Sequence, residues 1–339
     1  MPLRSLAKVL SITCLLMVTL LTAGEARAQQ IKELNFGVIP AELAQHVKAD
    51  WQPLVEDMSK ALGMKVNAFF ASDYATVIEG MRFNKVQVAW FGNKAAMEAV
   101  DRANGEVFAH TVGSDGNPGY WSLLITRKDS DIKNLDDVLR NGKKYIFGNG
   151  DPNSTSGFLV PAYYIFAMNK IDPKTHFKIV RNAGHEANIL ALLSKQVDVA
   201  TNNNMELTRF EKLYPDRAAQ IRVIWKSPLI PNDPLVWRKD LPEDLKAKIK
   251  NFILSYGRQG QDAERQRQVL AHLGEGWLPF QESSNAQLIP IRQLSLAKEK
   301  MVLENSQDMT PQEKQAKLSA IEVKLADLQK QADSSAKKQ

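Results

Sequence analysis

From residue 34 onward the chain alternates short apolar runs with amphipathic segments at helical spacing. Residues 34–39, 65–71, 86–91 and 107–112 read as buried strands, and residues 46–62, 74–82 and 93–103 as helices, the first stopped by Gly63. Strands separated by helices of this length predict a mostly parallel sheet with right-handed crossovers. Residues 113–119 are rich in turn formers, and a strand at 120–126 leads into a second series of the same kind. It holds strands at 145–147, 177–181 and 197–200, a helical run after Gly157 and a helix at 185–195. Strands at 221–225 and 235–237 flank a proline-rich turn over 228–234. One strand leaves the first series and another returns to it, which predicts two α/β lobes joined by two crossovers. The predicted division is lobe 1 over 29–119, lobe 2 over 120–232, a return to lobe 1 over 233–290, and a helical extension over 291–339. Ligands of such folds lie at the carboxyl ends of the strands, in the crevice between lobes.

After Leu241 the pattern is helical throughout. Thr310-Pro311-Gln312-Glu313 is a capping box with proline at the first helical position. Leu318, Ile321, Leu325 and Leu328 then form one narrow stripe on a charged helix. Such a stripe suits packing on its own lobe, or pairing with a second copy as a homodimer.

The N-terminus changes the picture of where the chain works. Arg4 and Lys8, an apolar stretch over 9–21 and Ala26-Arg27-Ala28 have the order of a secretory signal peptide over 1–28, cleaved after Ala28. The stretch is short of the ~20 apolar residues of a membrane span, which disfavours an uncleaved anchor. The single cysteine, Cys14, lies inside it, so the exported product has neither a disulfide nor a thiol nucleophile. The 44 basic residues exceed the 38 acidic ones only modestly and are scattered. A nucleic-acid binder would show a basic face interleaved with stacking aromatics, and none is apparent.

The chemistry concentrates in residues 145–166. An apolar run, then Gly148, Gly150, Asp151 and Pro152, precede three consecutive hydroxyls, Ser154, Thr155 and Ser156, and a helical run. A strand, a turn and a hydroxyl-rich helix start make an anion site. The first-turn N–H groups lack partners within the helix, the peptide dipoles place positive charge there, and hydroxyls can turn toward several oxygens of one tetrahedral anion. The plainer reading makes Ser156 an N-cap among turn residues. Enzyme signatures are missing: there is no Gly-x-Ser-x-Gly elbow and no phosphate loop, and His46, His110, His176, His185 and His272 are dispersed without metal-ligand spacing. No cofactor is expected.

Long stretches resemble the phosphonate-binding periplasmic proteins of the phosphonate ABC importers, the PhnD family. The likeness spans nearly the whole exported chain. It is dense at Val66-Asn67-Ala68-Phe69-Phe70-Ala71, at Gly80-Met81-Arg82-Phe83-Asn84-Lys85-Val86, at Gly119-Tyr120-Trp121-Ser122 and over 147–161, and continues through Asn182-Ala183-Gly184-His185-Glu186 and Trp225-Lys226-Ser227-Pro228-Leu229-Ile230-Pro231. The resemblance implies a fold like that of the type II periplasmic binding proteins, and a binding protein that closes on a small phosphonate and delivers it to an inner-membrane ABC permease. By motif, Ser154, Thr155 and Ser156 match the phosphonate cradle, and Tyr74 and Tyr120 match hydroxyls reaching the same oxygens. His185 and Asp233 match groups at the other end, beside the organic substituent. One position departs: the family pattern has a glutamate directly after an Asn-Asn-Thr run, where it pairs with an amino group. Here Met205 stands in that place and Glu206 follows. One residue of slip at a helix start turns a side chain by about 100 degrees, so Glu206 reaches the pocket only if the turn is remodelled. Otherwise an aminoethyl substituent is held less well and a small alkyl group relatively better. The same build also suits phosphite, phosphate or another small oxyanion.

Overall fold

The computed structural model describes residues 31–306 and 308–336. The expected signal peptide over 1–28, with Cys14, lies outside them. Thirteen strands are described: β1 Glu33–Val38, β2 Lys65–Phe70, β3 Val88–Trp90, β4 Gly105–Gly113, β5 Gly119–Tyr120, β6 Ser122–Arg127, β7 Ile146–Gly150, β8 Ile179–Ala183, β9 Val199–Asn203, β10 Ile221–Lys226, β11 Ile230–Pro231, β12 Pro234–Arg238 and β13 Trp277–Glu282. They form a six-stranded sheet ordered β13-β4-β12-β3-β1-β2, a five-stranded sheet ordered β10-β6-β9-β7-β8, and the two-stranded ribbon β11-β5. This is a mixed α/β fold with two sheet-based lobes.

The expectation of a mostly parallel sheet needs refining. β1 runs parallel to β3, and β7 parallel to both β8 and β9. β12 is antiparallel to both β3 and β4, and β6 to both β9 and β10. These antiparallel strands are the ones on which the chain enters or leaves a lobe. The crossovers themselves pair: Ile230 lies opposite Tyr120 and Pro231 opposite Gly119. A Cβ at Gly119 would lie 1.9 Å from the Ile230 carbonyl oxygen, so this ribbon closes only around glycine.

Each lobe has its own core. In the first, Trp51 packs between Phe36, Trp90 and Trp277 at ring separations of 5.6, 5.2 and 5.6 Å. In the second, Phe147 stacks on Phe177 at 4.5 Å and meets Phe166 edge-on. β13 was not expected, because the region after Leu241 reads as helical. It contains Pro279, which a sheet tolerates at an edge, and its register with β4 shifts between Leu278 and Gln281.

The tail is a helical hairpin of Ile289–Asn305 and Pro311–Ala336. Its capping box forms as the sequence reads: Thr310 N–H donates to Glu313 Oε2 at 3.1 Å and Glu313 N–H to Thr310 Oγ1 at 3.3 Å. The apolar stripe is used inside the chain, with Ile321 and Leu328 buried, while Lys300–Glu322 and Gln293–Gln329 bond along the hairpin. Among the described residues no helix is long and apolar enough to cross a membrane.

Candidate ligand site between the lobes

The carboxyl ends of the parallel strands of both sheets meet across one cleft. From the first lobe come Ile39 and Glu42 after β1, Trp90 and Gly92 at the end of β3, and Tyr74, the first residue of the Tyr74–Arg82 helix after β2. From the second come the hydroxyls after β7, His185 after β8, and Asn203 with Met205 and Glu206 after β9. They line one pocket, completed by Tyr120, Asp233, Glu275 and Trp277. The lobes are closed on one another. Lys94 N–H donates to Thr155 Oγ1 at 2.8 Å, Tyr74 N–H to Asp151 Oδ2 at 3.3 Å and Leu43 N–H to Glu186 Oε2 at 2.9 Å, all across the cleft.

After β7 the chain turns through Asp151, whose Oδ1 accepts from Asn153 N–H at 2.7 Å, and enters a helical rod at Thr155. The rod opens as a π-helical turn, Thr155–Leu159, not the α-helix the sequence suggests. Pro161 ends it. Val160 N–H donates to the Thr155 carbonyl, and Pro161 has no N–H to give. The Ser156 carbonyl therefore lacks a donor at four or five residues, and the Gly157 carbonyl lacks one at four. Hydroxyls of the neighbouring strands supply both, with Ser122 Oγ to Ser156 O at 2.6 Å and Thr201 Oγ1 to Gly157 O at 2.7 Å. The helix start lies directly on the strand before it: a Cβ on Gly150 would sit 2.4 Å from the Gly157 carbonyl carbon.

Ser154, Thr155 and Ser156 are each nearly fully buried. Each hydroxyl oxygen accepts a hydrogen bond: Ser154 from Gly157 N–H at 3.0 Å, Thr155 from Lys94 N–H across the cleft at 2.8 Å, and Ser156 from Asn203 Nδ2 at 3.4 Å. An oxygen that accepts in this way keeps its own hydrogen to donate forward, and the chain of dipoles polarises it. Tyr74 and Tyr120 are 3% exposed each. Burial first, then neighbouring carboxylates (Asp151 beside Tyr74, Asp233 beside Tyr120), hold both phenols well above their ordinary range, so they stay protonated donors.

His185 and Asp233 lie at the hydroxyl end, not the far end that the resemblance implies. His185 Nε2 is 3.3 Å from Ser156 Oγ and 3.5 Å from Ser154 Oγ. β8 is the parallel neighbour of β7, so the two helix starts sit side by side. Burial lowers the imidazole to about 4, so it is neutral. Asp233 Oδ1 accepts from the Tyr120 phenol at 3.0 Å, and burial pushes its carboxyl up to about 8.

The far wall is acidic and aromatic. Glu206 is 4% exposed and lines the pocket together with Met205. Its helix starts so that Asn203 is the cap, Oδ1 accepting from Glu206 N–H at 2.7 Å. The start register thus brings in the carboxylate whose place in the pocket the motif comparison left open. Glu42, Glu275, Trp90 and Trp277 complete this wall, and none was singled out in the sequence; only the Gly274-Glu275-Gly276-Trp277 turn carried a local signal. Glu42 Oε2, Glu206 Oε1, Glu275 Oε2, Trp90 Nε1 and His185 Nδ1 are buried without a hydrogen-bond partner. Buried polar groups in folded proteins are nearly always paired, so five orphans in one pocket mark a place built for a guest.

Two lobes that close over a pocket of polarised donors define a periplasmic substrate-binding protein of the type II class. The sequence model for "ABC transporter, phosphonate, periplasmic substrate-binding protein" matches residues 36–288, and the chain belongs to that family, one of transport proteins. It is 54% identical over 310 residues to the phosphonates-binding periplasmic protein of Escherichia coli strain K12, covering 91% of this chain and 89% of that one. It is 31% identical over 233 residues to a phosphate-import protein of Mycolicibacterium smegmatis, covering 65% of this chain and 70% of that one. The crystal structure of a binding-protein component of a phosphonate ABC transporter from Pseudomonas aeruginosa superposes with a TM-score of 0.85 at 52% identity, covering 91% of this chain and 99% of that one.

Proposed function

We propose that this protein, exported with cleavage after Ala28, captures a phosphonate and presents it to the permease of an ABC importer. The phosphonate oxygens are held by the hydroxyls of Ser154, Thr155 and Ser156, with the phenols of Tyr74 and Tyr120 closing from the first lobe and its boundary, Tyr120 turning its one hydrogen from Asp233 to the ligand. The observation that carries this reading is that the three buried hydroxyl oxygens each accept from an N–H, which leaves their own hydrogens to donate. His185 and the protonated Asp233 border the same oxygens, and Met205 and Glu206 border the substituent. Each charge-assisted hydrogen bond contributes roughly 1.5–3 kcal/mol, and micromolar affinity requires only about 8 kcal/mol. Five such donors supply about 7.5–15 kcal/mol, and the upper part of that range meets the requirement after several kcal/mol of association cost.

A bare oxyanion such as phosphite, phosphate or sulfate would fit the hydroxyls but leave the orphaned oxygens of Glu42, Glu206 and Glu275 unmatched. A phosphonate with an aminoalkyl substituent matches both ends. Calorimetric titration with 2-aminoethylphosphonate, methylphosphonate, phosphite and phosphate tests this. The double variant Thr155→Ala/Ser156→Ala is expected to lose at least about 100-fold in affinity for whichever phosphonate binds, taking the lower bound of two such bonds. Undiminished binding would refute the cradle.

Self-association through the tail requires exchange of the hairpin between copies, because its seam is covered within the chain. Light scattering of the full chain against one ending at Asn305 tests it. A dimer that becomes a monomer on truncation supports exchange, and an unchanged mass counts against it.

A further inference from the structure

The far wall of the pocket carries more negative charge than its own cations balance. Glu42 comes from the loop after β1, His46 and Asp50 from the Ala44–Leu62 helix, Glu186 from the His185–Leu193 helix, and Glu206 and Arg209 from the Asn204–Leu213 helix. Asp233 and Glu275 face the pocket from the third side, and Lys212 is occupied by the Glu275 carbonyl. One guanidinium serves the cluster. Arg209 Nη2 bonds Asp50 Oδ2 at 3.1 Å, while Nη1 stands 3.7 Å from Glu186 Oε2 and 3.9 Å from Glu206 Oε1 and bonds neither. Glu186 is satisfied otherwise, by Leu43 N–H and by His46 Nδ1 at 3.0 Å. Glu42 Oε2 and Glu206 Oε1 remain buried, unpartnered and on the pocket surface.

Two buried carboxyls with unpartnered oxygens on one pocket, served by a single guanidinium 3.9 Å from one of them, favour keeping a proton over carrying two full charges. Burial pushes the Glu42 carboxyl up to about 7 and holds that of Glu206 well above its ordinary range; Asp50 and Glu186 add to the first shift, and Glu42 adds to the second.

We propose that Glu42 and Glu206 share a proton in the unliganded pocket and release it to solvent when a phosphonate brings a cationic substituent, so that pH sets the choice between aminoalkyl and alkyl phosphonates. The inference rests on phosphonate binding as read above. The step balances simply: an O–H proton leaves to water, and the ligand's ammonium takes its place beside the carboxylates. A neutral alkyl chain causes no such release and leaves the protonated wall as it is.

The test is calorimetric titration of the full exported chain with 2-aminoethylphosphonate and with ethylphosphonate from pH 5.5 to 8, each in two buffers of different ionisation enthalpy. The ligands' own titrations are the same against every variant, so differences between wild type and Glu42→Gln or Glu206→Gln belong to the protein. In the wild type the preference for the aminoethyl ligand is expected to rise with pH, approaching tenfold per unit where one proton is displaced. In either Gln variant this rise flattens, and the protons released per aminoethyl ligand fall by about one. Equal slopes and equal proton counts in wild type and both variants would overturn the proposal. Should a variant not fold, the wild-type proton count for aminoethyl against ethyl, corrected for each free ligand's own ionisation at the same pH, decides the matter. Failure of both ligands to bind the wild type at any pH would instead refute the phosphonate reading.

Discussion

The Tyr120 phenol donates to Asp233 Oδ1 over 3.0 Å, with both side chains buried, so the strand leaving the first lobe is tied to the segment that returns to it. Burial raises Asp233 to about 8, and raises Glu42 and Glu275 each to about 7. The folded protein therefore binds protons at three carboxyls that an unfolded chain has already lost, and stability falls as pH rises through that window. His185 works the other way. Lowered to about 4 by burial, it adds stability with rising pH only up to its unfolded value near 6.5. Between about 6.5 and 8 the carboxyls are unopposed, and the melting temperature of ligand-free protein is expected to fall. Thermal unfolding of wild type and Asp233→Asn across that range checks it: the variant's slope is shallower.

Ser154 has two tasks that separate experimentally. Its Oγ caps the helical rod by accepting from Gly157 N–H at 3.0 Å, which leaves its own hydrogen to donate to a ligand. Ser154→Ala is expected to lose about 0.5–2 kcal/mol of stability as a lost cap and to weaken phosphonate binding as well. Denaturant unfolding with and without ligand reads the two effects apart.

Thr201 is fully buried and serves the Gly157 carbonyl that Pro161 leaves without an α-helical donor. Thr201→Val keeps the shape and removes the donor. A buried carbonyl without a partner costs about 1–3 kcal/mol. The expected outcome is a loss of that size in urea unfolding, together with weaker binding as the rod start relaxes.

Across the cleft, Arg209 and Asp50 are unequal partners, with side chains 7% and 25% exposed. Removing the guanidinium takes away the cation that bonds Asp50 and stands 3.7 Å from Glu186 and 3.9 Å from Glu206, and breaking a buried ion pair by removing one partner costs about 3–5 kcal/mol. Arg209→Ala should therefore destabilise the closed form far more than Asp50→Asn. Small-angle scattering in the presence of ligand checks this: the Arg209 variant stays more extended.

The alternating pattern made both series of strands and helices readable before any coordinates, and the Ser154–Ser156 stretch stood out because a strand, a glycine-rich turn and three hydroxyls are contiguous. Tyr74 and Tyr120, far from that stretch in sequence, came from motif resemblance, and the structure brings them to the same pocket. β13 escaped because glycines precede it and Pro279 interrupts it. Glu42, Trp90 and Trp277 escaped because each is an ordinary residue in its own stretch.

What the sequence determined by itself is local: the periodicities that build two lobes, the hydroxyl run at a strand-to-helix turn, and the Thr310–Glu313 cap. Tertiary structure decided the rest. It converted the helix start into a π turn, because strand hydroxyls could serve the carbonyls that Pro161 left open. It set His185 beside the hydroxyls through the parallel pairing of β7 and β8. It also brought Glu206 into the pocket, because the register of a helix start is set by its cap and by what the lobes bury, neither of which a motif alignment records.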